Sequence, residues 1–202
     1  TAAGANAVEE LAFSKGALTP SRRLALSDRA KDGFAGGPAF SPDGARLAFV
    51  SKRDGDKEAQ LYVMRLDGGE AERWAEMPLG VLSPRWTADG KRIVFVSSVF
   101  GESLETTKAE LARREKEEKT RVKATVSESR LVRYWDRWIE ADQWAHLFAV
   151  DVATRAVTDL TPGMKRLGNL EDGGLAFDVA RDGSVVFAAN ATEPPYRTLN
   201  SD

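Results

Sequence analysis

His146 is the only imidazole in a chain of 202 residues that contains no cysteine. Those two counts decide most of the chemistry open to it. A serine nucleophile needs a base within hydrogen-bond reach, and histidine is the usual one. His146 alternates with Phe148 and Val150 in the run HLFAVDV, a strand pattern that reads as a structural histidine and not as a base in a cleft. The sequence has no G-x-S-x-G nucleophile elbow and no G-x-x-x-x-G-K-[ST] phosphate loop, so neither motif supplies a site. Without thiols there is no thiolate catalysis, and one histidine among scattered carboxylates gives no metal-ligand spacing. Paired carboxylates distant in sequence could hydrolyse glycosides, and nothing singles out a pair. The expectation is no catalytic residue, no cofactor and no metal.

Side chains suited to binding concentrate in SRLVRYWDRWIEADQWAHLF, Ser129 to Phe148, the most aromatic stretch. Strand alternation would put Leu131, Arg133, Trp135 and Arg137 on one face and Val132, Tyr134, Asp136 and Trp138 on the other. As packing, this is a strand wedged between sheets, with Asp136 paired to Arg133 or Arg137 because a buried lone carboxylate is costly. As function, it is a cavity wall that meets substrate through Arg133, Trp135 and Asp136.

The elements that would position these residues come from a repeat. FSPDGARLAFVS (Phe40 to Ser51) returns as WTADGKRIVFVS (Trp86 to Ser97) and as VARDGSVVFAA (Val179 to Ala189). Asp43 and Asp89 stand 46 residues apart, and Asp89 and Asp182 stand 93 apart, close to twice the interval, which suggests a disguised copy between them. Each Asp-Gly pair suits a tight reversal between two strands. A second hairpin, Gln60 to Leu66 and back through Trp74, completes a four-stranded unit, and His146 to Val152 with Ala156 to Leu160 repeats its outline. Four antiparallel strands in about 45 residues describe a propeller blade. The expected fold is all-β: a β-propeller portion over 1–202 of about four blades. In it, 1–24 is the tail of one blade, 38–74 a blade, 84–160 blades with a helical insertion, and 174–202 the start of the next.

That insertion spans Glu102 to Lys123, with 6 Glu against 7 Lys or Arg. Glu110 with Arg114, Glu115 with Lys119 and Glu117 with Arg121 are i,i+4 pairs in the favoured order. Its apolar stripe, Leu104, Leu111 and Val122, is too thin for a core helix, so it reads as an excursion from a blade loop.

The formal charge is −2, from 29 basic and 31 acidic residues, which gives no basic footprint for nucleic acid or an anionic membrane. No apolar run approaches the ~20 residues of a membrane span. The chain starts at Thr1 without a methionine, as after removal of a signal peptide or in a cut chain. We take the cytoplasm as the working compartment, with the periplasm as the alternative.

Taken together, SPDGARLAFVS, TADGKRIVFVS, LYVMRLDGGEAERW, LVRYWDRW, HLFAVDVATRAVTDLTPG and NATEPPYRTLNSD resemble the N-terminal β-propeller of the prolyl oligopeptidase family of serine peptidases, in particular bacterial acylaminoacyl- and dipeptidyl-peptidase-like members. The Asp-Gly repeat alone is shared with the propeller of the TolB translocation protein. The resemblance implies a fragment of a seven- or eight-bladed propeller, followed in the parent by an α/β-hydrolase domain that carries the catalytic residues. It implies a gate that passes short peptides. It also makes Glu193, in the loop NATEPPYR, a candidate for holding a substrate ammonium. Two other classes stay open: a TolB-like protein-binding module, and a five-bladed glycosidase with carboxylates around a tunnel.

Overall fold

The computed structural model describes residues 8–14, 17–24, 30–117, 133–134, 137–138, 142–169 and 174–189. The chain opens with the antiparallel hairpin β1 (Val8–Ser14) and β2 (Ala17–Leu24). Next come β3 (Ala30–Phe40), β4 (Arg46–Arg53), β5 (Gln60–Arg65) and β6 (Glu72–Ala75), hydrogen-bonded in chain order as one antiparallel sheet. The second four-stranded sheet is built from β7 (Leu82–Trp86), β8 (Arg92–Phe100), β11 (Gln143–Asp151) and β12 (Val157–Asp159). Between its second and third strands lie α1 (Leu104–Glu117) and the ladder of β9 (Arg133–Tyr134) with β10 (Arg137–Trp138). A last hairpin joins β13 (Ala176–Val179) to β14 (Val185–Ala188).

Two readings of the sequence change here. Among the described residues, the long interval from Asp89 to Asp182 holds one four-stranded sheet and not a disguised second copy. Its extra length is the excursion from Gly101 to Asp142, whose ends meet where the Gly101 N–H donates to the Asp142 carbonyl at 2.8 Å. The stretch around Trp135 and Asp136 is not one continuous strand either. Arg137 pairs with Tyr134 and Trp138 with Arg133, so antiparallel segments flank those two residues and the single-strand alternation of faces does not apply.

Side chains alternate across each strand and so divide the core by face. Ala48, Val50, Leu61 and Val63 from the first sheet meet Ile93, Phe95, Phe148 and Val150 from the second in one cluster, with Trp74, Trp86 and Trp144 around it. Leu47, Phe49 and Tyr62 face the other way, as do Val94, Val96 and Leu147 in the second sheet, against Leu175 and Phe177. Both sheets are covered on two sides, which explains the unbroken apolar runs.

The repeated turns carry a shared hydrogen-bond design. The Ser41 hydroxyl donates to Asp43 Oδ1 and accepts the Arg46 N–H, while Asp43 Oδ1 also accepts the Ala45 N–H. Thr87, Asp89, Lys91 and Arg92 repeat every one of these bonds. The third copy has Ala180 in the hydroxyl position, and its turn closes one residue sooner, from the Ala180 N–H to the Ser184 carbonyl. There the Ser184 hydroxyl serves Asp182 instead.

Helix α1 is anchored at its start. Ser103 caps it in a reciprocal box in which Ser103 Oγ accepts the Thr106 N–H and Thr106 Oγ1 accepts the Ser103 N–H, the arrangement in which Thr replaces the usual Glu. Buried Thr107 takes the Phe100 N–H at 2.8 Å. Farther along, the expected Glu110 to Arg114 pair forms at 2.8 Å and Arg113 bridges Glu110 and Glu117.

Candidate functional site

Two buried polar side chains, one per sheet, hold the segments that leave those sheets. Gln60 on β5 donates from Nε2 to the Met77 carbonyl at 3.0 Å and accepts the Met77 N–H on Oε1 at 2.7 Å. His146 on β11 places Nε2 2.8 Å from the Met164 carbonyl oxygen and Nδ1 2.8 Å from Asp159 Oδ2. Gln60 pairs with Ser51 and His146 with Ser97, and those serines stand 46 residues apart, the repeat interval. The two clamps are therefore one position of the repeat filled by different residues. His146 is fully buried and stacks on Phe148. Both its nitrogens are committed to the fold, as the strand pattern suggested.

A third polar group turns inward from the 54–59 loop. Asp56, its side chain 1% exposed, accepts hydrogen bonds from Tyr62 Oη at 2.7 Å, Arg73 at 2.7 Å and the Arg53 N–H at 3.0 Å. Burial pushes its carboxyl up, and these three donors outweigh burial and hold it below the usual range. Tyr62 is pushed up to about 12, by burial first and then by its bond to the Asp56 carboxylate.

The junction of the two sheets is closed at several points. Trp86 Nε1 donates across it to the Ala39 carbonyl at 3.0 Å, and Ser97 Oγ donates to the Gly80 carbonyl of the connecting segment at 2.6 Å. Trp74 meets Trp86 edge-on, and the Arg155 guanidinium lies 3.4 Å from the Trp74 ring centroid, a cation–π contact between the outermost strand of one sheet and the last turn of the next. Arg155 takes a left-handed backbone, φ 63°, to reach it.

Of the residues read from sequence as binding candidates, Glu193, Trp135 and Asp136 lie outside the described residues, and Arg133 is placed by its backbone alone, on β9. Among the described residues no group of three or more His, Cys, Asp or Glu could hold a metal ion. The Gln60 clamp, the partners of His146 and the Asp56 network were missed in the sequence. The signal for the clamps was the serine that recurs 46 residues apart after each apolar run, Ser51 and Ser97, opposite Gln60 and His146, whereas Asp56 in its charged loop carried none.

Successive four-stranded antiparallel sheets packed face to face, with first strands converging and a shared turn design, define a β-propeller, here an open part of one. PD40, the TolB beta propeller domain, matches residues 18–129, and the chain belongs to that family. It is 35% identical over 158 residues to YuxL, an uncharacterized peptidase of Bacillus subtilis, covering 77% of this chain and 22% of that one. It is 24% identical over 138 residues to dipeptidyl-peptidase 5 of Porphyromonas endodontalis, covering 68% of this chain and 18% of the relative. Among solved structures, TolB from Acinetobacter baumannii superposes with a TM-score of 0.47 at 16% identity, over 94% of this chain and 32% of the other. The chain thus spans about a fifth of the length of these two peptidase relatives.

Proposed function

We propose that this chain is part of the propeller of a serine peptidase and controls which peptides reach an α/β-hydrolase domain on the same polypeptide. The observation that carries the reading is the 35% identity with a peptidase of which it matches only 22%. The commitment of His146 to the fold agrees with a role in access and not in bond cleavage. A ring of blades over a catalytic pocket selects by exclusion: extended short peptides pass and folded proteins do not.

The test is hydrolysis of short chromogenic peptides by the full-length parent, with free and acetylated N-termini, beside a folded protein substrate. Cleavage of the peptides alone is the expected result. A requirement for the free amine, lost in Glu193→Gln, would assign Glu193 the substrate ammonium. A parent that cleaves no peptide and binds a folded protein would replace this reading with the TolB-like binding module.

A further inference from the structure

The first strands of successive units lie side by side, β3 against β7 and β7 against β13, while β6 and β12 make no comparable contact. The first strands therefore line the inner side. Two of them share a bulge at the same repeat position: Gly37-Pro38 in β3 and Ser83-Pro84 in β7 slip out of register with their partner strands. Both first residues are left-handed, Gly37 with φ 58° and Ser83 with φ 51°. Glycine is free to adopt that conformation, and at Gly37 a Cβ would also sit 3.1 Å from Pro84 Cδ. Serine is strained there, and strain held by the surrounding structure is a recognised mark of functional positions. A bulge also re-aims the side chain next to it.

In β7 that side chain is Arg85. It is exposed, and its Nη1 donates to the carbonyl of its own neighbour Pro84 at 3.1 Å, which lays the guanidinium along the inner strand. No carboxylate of the described residues lies within ion-pair distance of it. Asp178, at the equivalent place on β13, is exposed, and its Oδ1 accepts the N–H of its own neighbour Val179. Arg85 is thus a cation on the inner wall whose remaining donors meet no partner among the described residues, and a guanidinium of that kind suits a carboxylate through paired N–H bonds.

We propose that Arg85 is a specificity residue that binds a peptide carboxylate, the free C-terminus of a short substrate, as the peptide passes the inner wall. This rests on the peptidase reading. The experiment compares peptides of one sequence with a free or an amidated C-terminus on the full-length parent, as wild type, Arg85→Gln and Arg85→Lys. For the free acid we expect KM to rise about 10-fold or more in Arg85→Gln with kcat little changed, and partial recovery in Arg85→Lys, from the size of a charge-assisted hydrogen bond. The amide should respond to neither substitution. Equal losses on acid and amide, or no loss on either, overturns the proposal. Direct calorimetric binding of the same two peptides to catalytically silent wild-type and Arg85→Gln parents separates the two readings. If no peptide is cleaved but the acid binds more tightly than the amide in wild type alone, Arg85 stands and the peptidase reading falls. Equal binding of acid and amide removes Arg85 whatever the catalysis.

Discussion

At the scale of single residues, the buried polar groups of this chain serve backbone atoms and one another. Gln60 satisfies both the N–H and the carbonyl of Met77, so Gln60→Met would keep much of the volume while leaving two buried backbone groups without partners. The expected loss is about 2–4 kcal/mol of stability, the penalty for unmade buried hydrogen bonds, read from the urea midpoint. Unchanged stability would mean that Met77 finds other partners. The Asp56–Tyr62 pair gives stability a pH dependence with two limbs. Asp56 is held below its usual range, so its contribution is present above the unfolded value near 3.9 and disappears as pH falls through the lower folded one. Tyr62 is raised to about 12 from 10.0, so its contribution is complete below pH 10 and is lost as pH climbs through 12. Tyr62→Phe removes a donor from Asp56, and its acid unfolding should begin at higher pH while the alkaline limb from this residue vanishes. Superimposable pH profiles of wild type and variant would contradict the assignment.

At the scale of elements, the turns show how a motif can vary and still close. Thr87 is linked to Asp89 and to Arg92 through one hydroxyl, and Thr87→Ala should cost about 1 kcal/mol because the Arg92 N–H loses its acceptor. Thr87→Ser should be near neutral in the same thermal melts, and equal stability of Ala and Ser variants would show that the hydroxyl is dispensable. The third copy escapes this cost by being one residue shorter, a change in register that the shared Asp-Gly pair conceals. The strands, the turns and the charged helix were legible in sequence because each rests on local chemistry: alternation, an Asp-Gly reversal, and i,i+4 pairs. Sheet membership was not. Whether the segment after β8 begins a new unit or returns to the same sheet depends on β11 pairing with β8 across the whole excursion, and no local pattern records so distant a partner. The aromatic stretch misled for a related reason, since alternation of large residues looks the same in one strand as in two short ones that pair. Arg85 was passed over because its significance lies in a backbone bulge shared with Gly37, which residue types alone do not reveal.

At the scale of the whole molecule, the question is whether neighbouring blades could part to admit a substrate between them. The junction of the first two sheets argues against it. Its core draws Val50, Leu61 and Val63 from one side and Phe95, Phe148 and Val150 from the other into a single cluster, and opening it would expose that surface at about 25 cal/mol per Å² of apolar area. The Trp86 bond to Ala39, the Ser97 bond to Gly80 and the Arg155 stack on Trp74 would break as well. A junction bound in this way makes its two sheets one cooperative unit. Trp74, Trp86 and Trp144 all lie in the shared cluster, so tryptophan fluorescence reports the junction while far-UV circular dichroism reports the strands. In the full-length parent, the junction fluorescence, isolated by replacing every tryptophan other than Trp74, Trp86 and Trp144 with Phe, should change together with the propeller's β signal. Arg155→Ala should move both to lower denaturant by an equal amount. If the fluorescence changed first, the sheets would separate before they unfold, and a lateral path between these blades would become open to peptides. If the two coincide, these sheets stay joined until they unfold, and the proposed peptidase reading leaves a peptide the inner opening, where Arg85 stands.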